Sequence, residues 1–73
     1  MGGENVREWL TARRKEIHKT QDQVAKELNV SAPYYCLIEK GERMNRMDIP
    51  FAIALAKAVQ MPLEEIIERE DIH

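Results

Sequence analysis

The sequence predicts an all-α fold, a compact bundle of five short helices. Apolar residues recur at helical spacing in successive segments of the chain. No run of alternating apolar and polar residues occurs, and no hairpin dipeptide joins two such runs, so strands have no support. Capping residues precede most of the helical segments, and Asn29, Gly41 and Pro62 mark three of the four boundaries between them, as expected at helix ends.

Helix 2 has the clearest start signal of the five. Thr20 and Gln23 form the Thr-x-x-Gln pattern of a capping box, and Asn29 suits the left-handed residue that ends a helix. The apolar stripe of helix 2 consists of Val24, Ala25 and Leu28. Helix 1 is predicted to begin after Asn5, with an apolar stripe of Val6, Trp9, Leu10 and Ile17.

The remaining helices are bounded by similar signals. Helix 3 runs from Ala32 to a stop at Gly41, with Ser31 as its cap. Helix 4 follows a loop at 42–47 and is capped by Asp48. Pro62 separates it from helix 5, whose apolar residues are Leu63, Ile66 and Ile67.

Length and cysteine count limit how this domain can be stabilised. The chain has 73 residues and one cysteine, Cys36, so no disulfide forms within it. A domain of this size buries only about 60% of its unfolded surface, which leaves no room for a deep catalytic cavity. Stability must come from efficient helix packing, from a partner chain, or from both.

No segment suggests a membrane or a secretory pathway. The longest apolar-rich stretch, residues 49–56, is far short of the roughly 20 residues that a membrane span needs. Residues 1–5 lack the basic and apolar regions of a signal peptide. We therefore expect no membrane contact and a cytoplasmic location.

The net charge of −2 conceals an asymmetry along the chain. Residues 1–43 hold eight Lys or Arg against seven Asp or Glu, and residues 44–73 hold three against six. The first part therefore carries +1 and the second −3. A local basic surface can coexist with an acidic end, so the net charge alone does not exclude nucleic acid as a partner.

The turn between helices 2 and 3 is very tight, because only Val30 separates Asn29 from the cap Ser31. Two helices joined in this way cross at a large angle, so that one face of the second helix projects from the domain. This geometry places a recognition helix in a DNA major groove about 12 Å wide. Gln21 at the start of helix 2 would then lie near the phosphate backbone.

These residues resemble the helix-turn-helix of the Xre family, the phage repressor/Cro type of transcriptional regulator. The resemblance covers residues 6–67, with the motif itself at 21–40. Its most specific elements are Thr20-Gln21, Val24-Ala25 followed by Leu28, Val30-Ser31, Ile38-Glu39-x-Gly41 and Leu55-Ala56-Lys57-Ala58. Outside this domain, residues 1–5 are interpreted as a disordered or tag-like N-terminus and residues 68–73 as an acidic C-terminal tail.

The resemblance implies a non-enzymatic regulator, a repressor without a cofactor, that binds a double-stranded DNA operator as a homodimer. The phosphate contacts that it implies are made by Thr20, Gln21, Ser31, Lys40, Arg43, Asn45 and Arg46. The base-reading face that it implies consists of Ala32, Pro33, Tyr34, Cys36 and Leu37. It also implies a structural salt bridge between Arg14 and Glu39, and a buried position for Tyr35. Helix 5 and the tail are a candidate dimer surface through Leu63, Ile66, Ile67 and Ile72.

The base-reading face departs from the family pattern. Ala32, Pro33 and Leu37 cannot make the bidentate hydrogen bonds that discriminate bases, each worth about 1–3 kcal/mol. Specificity would then depend on thymine methyl groups, on Tyr34 and on DNA shape. This apolar face leaves an alternative open, a protein-interaction module of the same fold, such as an antitoxin or anti-repressor, with weak or no DNA binding.

Catalysis and metal binding find no support in the residue pattern. Cys36 has no His placed to activate it, and His18 and His73 are isolated from other metal-binding residue types. No acid–base pair or nucleophile constellation is present in the sequence. We therefore expect no enzymatic activity and no metal site.

Overall fold

Helices form where local capping and apolar spacing predict them. The computed structural model describes residues 6–72, and the expectation for residues 1–5 lies outside that range. The described residues form α1 (Glu8–Glu16), α2 (Gln21–Leu28), α3 (Ala32–Glu39), α4 (Ile49–Val59) and α5 (Leu63–Glu70). No residue in this range is in a strand, so the all-α prediction is confirmed.

Three helix starts carry the side-chain caps that the sequence predicts. Thr20 Oγ1 accepts from the Gln23 backbone N–H at 3.1 Å, and Gln23 Oε1 accepts from the Thr20 N–H at 2.7 Å. Ser31 Oγ accepts from the N–H of the third residue of α3, and Asp48 Oδ1 does the same for α4. Each cap satisfies a backbone N–H that has no partner within its own helix.

The first helix begins later than predicted. Arg7 is its N-cap, Val6 is 40% exposed, and Ile17 lies beyond the last helical residue. The physical reason lies in Arg7, whose backbone N–H donates to the Glu39 carbonyl at 2.9 Å and whose side chain is buried. This contact fixes the chain in a non-helical conformation immediately before Glu8.

Every helix ends at a residue with positive φ. These residues are His18, Asn29, Gly41, Gln60 and Asp71, with φ between 54° and 76°. After each one, the next N–H donates to the carbonyl five residues earlier, as from Lys19 to Arg14 and from Val30 to Ala25. This is the Schellman arrangement, which satisfies the last carbonyls of a helix. The predictions for Asn29 and Gly41 are confirmed, and no such prediction was made for Gln60 or Asp71.

We expect His18→Gly to raise the free energy of unfolding by about 0.5–1 kcal/mol. A left-handed residue with a β-carbon is strained by about 1–2 kcal/mol, which exceeds the entropic cost of glycine. Urea unfolding of the two proteins measures the difference. Asn29→Gly is the matched control and should gain less, because asparagine already tolerates this conformation. A loss of stability in His18→Gly would contradict the assignment.

The hydrophobic core draws on all five helices and on the loop before α4. Its buried members are Leu10, Val24, Ala25, Tyr35, Ile38, Met47, Ala52, Leu55, Ala58, Val59 and Ile66. The prediction that Tyr35 belongs to the core is confirmed. α4 contributes four of these residues and packs against α1, α2 and α5. It is therefore the central helix of the domain.

Two expectations about the C-terminal part are corrected. Ile66 is fully buried in the core, so it cannot belong to a dimer surface. α5 continues to Glu70, which forms an ion pair with Arg7 at 2.8 Å. Residues 68–70, expected in an acidic tail, are therefore part of the folded domain. None of the helices in the described range has the length and apolarity to cross a membrane.

Candidate nucleic-acid interface

The turn between α2 and α3 sets the geometry of the candidate interface. Only residues 29–31 separate the two helices, which pack against each other. Asn29 takes the left-handed conformation that ends α2, and Ser31 caps α3. The chain therefore reverses direction within three residues, and the backbone groups at both helix ends keep hydrogen-bond partners. One face of α3 stays away from the core.

Glu39 is the centre of a buried polar network beneath this motif. Its Oε2 accepts from Arg14 Nε at 2.7 Å. Its Oε1 accepts from Thr11 Oγ1 at 3.0 Å and from Gln21 Nε2 at 2.9 Å. The side chains of Arg14 and Glu39 are only 10% and 4% exposed. The network joins α1, α2 and α3, as the resemblance implied for the Arg14–Glu39 pair.

The protonation states of this network follow from its contacts. Burial acts to raise the pKa of Glu39, but the hydrogen bonds from Arg14 and the neighbouring donors outweigh it and lower that pKa below its usual range. The hydrogen bond to Glu39 raises the pKa of Arg14. Both groups are therefore charged at neutral pH. Burial also raises the pKa of Tyr35, whose hydroxyl has no hydrogen-bond partner of normal geometry among the described residues.

The N-terminus of α2 holds two of the predicted phosphate contacts. Thr20 Oγ1 is used by the capping box, and one N–H of the Gln21 amide is donated to Glu39. Gln21 is half-buried, and its second amide N–H remains for an anion. Gln21 therefore has a structural role in addition to the predicted phosphate role, which the sequence did not indicate.

Pro33, Cys36 and Leu37 of the predicted base-reading set lie on the outward side of α3, whereas Ala32 and Tyr34 pack partly against the core. Pro33 is exposed, and the others, Ala32, Tyr34, Cys36 and Leu37, are half-buried. The hydroxyl of Tyr34 and the thiol of Cys36 are the polar side-chain groups of this set. The face is therefore mainly apolar, and its hydrogen-bonding capacity comes from Tyr34 more than from any other member.

Cationic and polar side chains follow α3 along the chain, at Lys40 and in the 42–47 loop. Lys40, Arg43, Asn45 and Arg46 are exposed, and all four were predicted as phosphate contacts. The side chains of Lys40, Asn45 and Arg46 make no hydrogen bond with any residue of the described range, whereas Arg43 donates to the Glu42 carbonyl at 2.9 Å. Met47, by contrast, is buried and anchors the end of the loop in the core.

The sequence did not predict a role for Arg7, whose buried side chain contacts the backbone of the 42–47 loop. Its guanidinium reaches carbonyl oxygens of Ile38, Arg43 and Met44 and the carboxylate of Glu70. No local pattern could have revealed these contacts, because their partners lie 31 to 63 residues away in the chain.

No group of three or more metal-binding side chains comes together in residues 6–72. Cys36 is a free, half-buried thiol on the outward side of α3.

A family model described as Helix-turn-helix matches residues 10–66 of the chain. The match includes α2, α3 and α4 completely, and therefore the tight turn described above. Comparison with curated proteins gives no match, and comparison with solved structures gives none either. Because the matched range is well over half of the chain, the protein belongs to the helix-turn-helix family of DNA-binding domains.

Proposed function

We propose that the protein is a sequence-specific regulator of transcription, an Xre-type repressor that acts in the cytoplasm on a double-stranded DNA operator. The observation that carries this proposal is the α2–turn–α3 unit, which is followed along the chain by the exposed cations Lys40 and Arg46. In this arrangement α3 lies in the major groove, and the flanking cations bind phosphates.

The two groups of residues have different tasks in this proposal. Lys40, Arg43 and Arg46 neutralise phosphates and set the register of the protein on the duplex. Tyr34 and Leu37 contact base edges, where thymine methyl groups suit an apolar surface. Occupation of the operator is sufficient for repression, so the domain needs no further chemistry.

The working form that we propose is a homodimer on a two-fold-related site, with half-sites about 34 Å apart. A single domain of this size contacts few base pairs, and a second copy doubles the contacted sequence. With Ile66 in the core, the candidate dimer surface is reduced to Leu63, Ile67 and Ile72, which are half-buried in the single chain.

Selection from a random double-stranded DNA library, at about 50 mM and about 200 mM salt, tests the proposal. We expect enrichment of a pseudo-palindromic site, with affinity that falls steeply between the two salt concentrations. No enrichment at either concentration, from protein shown to be folded, would reject the DNA-binding function and support the alternative of a protein-interaction module. The apolar face of α3 and the net charge of −2 favour that alternative.

Arg46→Ala and Leu37→Ala should affect DNA binding in different ways. Arg46→Ala removes a phosphate contact, so binding weakens similarly on all sequences and the salt slope falls by about 1. Leu37→Ala changes a base-reading residue, so the preference among selected sequences changes. Fluorescence anisotropy with several duplexes measures both effects.

Arg69→Ala is the matched control for Arg46→Ala. It removes the same charge from an exposed arginine on α5, where Arg69 faces Glu65. Its salt slope should equal that of the wild type. If Leu37→Ala leaves the sequence preference unchanged, Leu37 is not part of the reading face.

A further inference from the structure

Arg7 is the most completely engaged side chain in the described part of the molecule. It is 4% exposed, although it lies before the first helix. Its five guanidinium N–H groups meet five acceptors: Ile38 O, Arg43 O, Met44 O and both carboxylate oxygens of Glu70. An arginine has five such donors, so none is left over.

Three of these acceptors fix the path of the chain as it leaves α3. Arg7 Nη1 donates to Ile38 O at 2.7 Å and to Arg43 O at 3.2 Å, and Nη2 donates to Met44 O. Met44 has a φ of 58°, which is unfavourable for a side chain of this kind. The guanidinium thus holds the loop at its least favourable backbone position.

Glu70 holds the guanidinium in turn. Its Oε1 and Oε2 accept from Arg7 Nη2 and Nε at 2.8 and 2.9 Å, in the bidentate geometry of a strong ion pair. The two side chains are only 5% and 8% exposed. Glu70 and Arg46 also line one surface groove, so the end of α5 lies beside the exposed face of the loop.

We propose that Arg7 is a positioning residue for DNA binding, which holds the 42–47 loop so that Arg43 and Arg46 meet the phosphate backbone, with Glu70 as its anchor. This inference rests on the proposed function. A loop that is already ordered in the free protein loses less conformational entropy when it binds, and its cations reach phosphates in one arrangement. Without the clamp, the loop must be ordered by the DNA itself.

Lysine cannot replace Arg7 in this role. Its ammonium group has three donors on a single atom, whereas the acceptors around Arg7 are spread over three segments of the chain. Arg7→Lys keeps the charge beside Glu70 and removes most of the carbonyl contacts. The substitution therefore separates the positioning of the loop from the net charge of the protein.

Arg13→Lys is the matched control, because Arg13 also joins a helix to carbonyl oxygens at a chain reversal. Its Nε donates to Val59 O at 3.0 Å and its Nη2 to Gln60 O at 2.5 Å, at the junction of α4 and α5. Neither acceptor belongs to the 42–47 loop. Loss of these bonds lowers stability without touching the proposed phosphate contacts.

The experiment measures the affinity for a random-sequence DNA duplex between about 50 and 200 mM salt, together with the melting temperature of each variant. We expect Arg7→Lys to bind about tenfold more weakly at the lower salt, with a salt slope reduced by about 1 to 2. Arg13→Lys should keep the wild-type slope even if its melting temperature falls equally. A purely structural role for Arg7 would give both variants the same slope.

Two further outcomes are decisive. If Arg7→Lys does not fold, Glu70→Gln replaces it, since this variant keeps the carbonyl contacts and should give an intermediate loss of affinity. An unchanged slope and affinity in a folded variant would overturn the positioning role while leaving the proposed function intact. Absence of duplex binding by the wild type would overturn both the positioning role and the proposed function, so the wild-type measurement distinguishes this outcome from failure of the positioning role alone.

Discussion

Glu39→Ala is expected to lower the free energy of unfolding by about 3–5 kcal/mol. The substitution leaves the Arg14 guanidinium buried without its partner and takes an acceptor from Thr11 and Gln21. A domain of this size has a total stability of roughly 4–10 kcal/mol, so the loss is a large fraction of the total. Urea unfolding at pH 7 measures the loss.

A double variant separates the cost of the orphaned charge from the loss of the ion pair. Arg14→Met combined with Glu39→Leu removes both charges and fills the space with apolar atoms. It should be more stable than Glu39→Ala alone, because no buried charge is left without a partner. If the double variant loses as much stability as Glu39→Ala or more, the single variant acts through packing and not through the unpaired charge.

The pH dependence gives the same prediction a second readout. The pKa of Glu39 is lower in the folded protein than in the unfolded chain, so its contribution is present at neutral pH and is lost as the pH falls through the folded-state pKa. The difference in stability between wild type and Glu39→Ala should therefore shrink below the ordinary carboxyl range. A constant difference would mean that Glu39 is not the group that titrates.

Leu55→Ala should destabilise the domain by about 2–5 kcal/mol. Leu55 is fully buried on α4, the helix that packs against three others, so its loss leaves a cavity at the centre of the core. Thermal unfolding followed by circular dichroism measures the effect.

Ile53→Ala on the same helix is the control for this core position. Ile53 is 41% exposed, and its truncation should change stability by only about 0.5 kcal/mol. Because the two positions lie on the same helix, two residues apart, the change in helix propensity on substitution by alanine is similar at both. Comparable losses at both positions would contradict the way in which α4 faces the core.

Local chemistry explains which parts of the fold the sequence could predict. The starts of α2, α3 and α4 were predicted because each cap joins two residues only three positions apart, so the pattern can be recognised in the sequence alone. The left-handed end at Gln60 was not anticipated, because glutamine does not favour that conformation.

Long-range contacts explain what the sequence could not reveal about the site. The Arg14–Glu39 pair was named only through a family resemblance, and its 25-residue separation carries no local signal. The burial of Ile66 was missed because helical periodicity identifies an apolar stripe without showing whether the domain itself or a second chain covers it. The additional bond from Gln21 to Glu39 depends equally on how α2 is placed over α3.

The ion pair between Arg7 and Glu70 also limits which contacts can form while the chain is being synthesised. Its partners are 63 residues apart, so the pair cannot form until the ribosome has released the whole of α5. Until then a nascent chain can assemble α2 and α3, whose contacts are local, while the loop behind α3 lacks its anchor. A chain broken off before Glu70 would therefore lack the carboxylate that pairs with Arg7, while the residues of α2 and α3 would be complete.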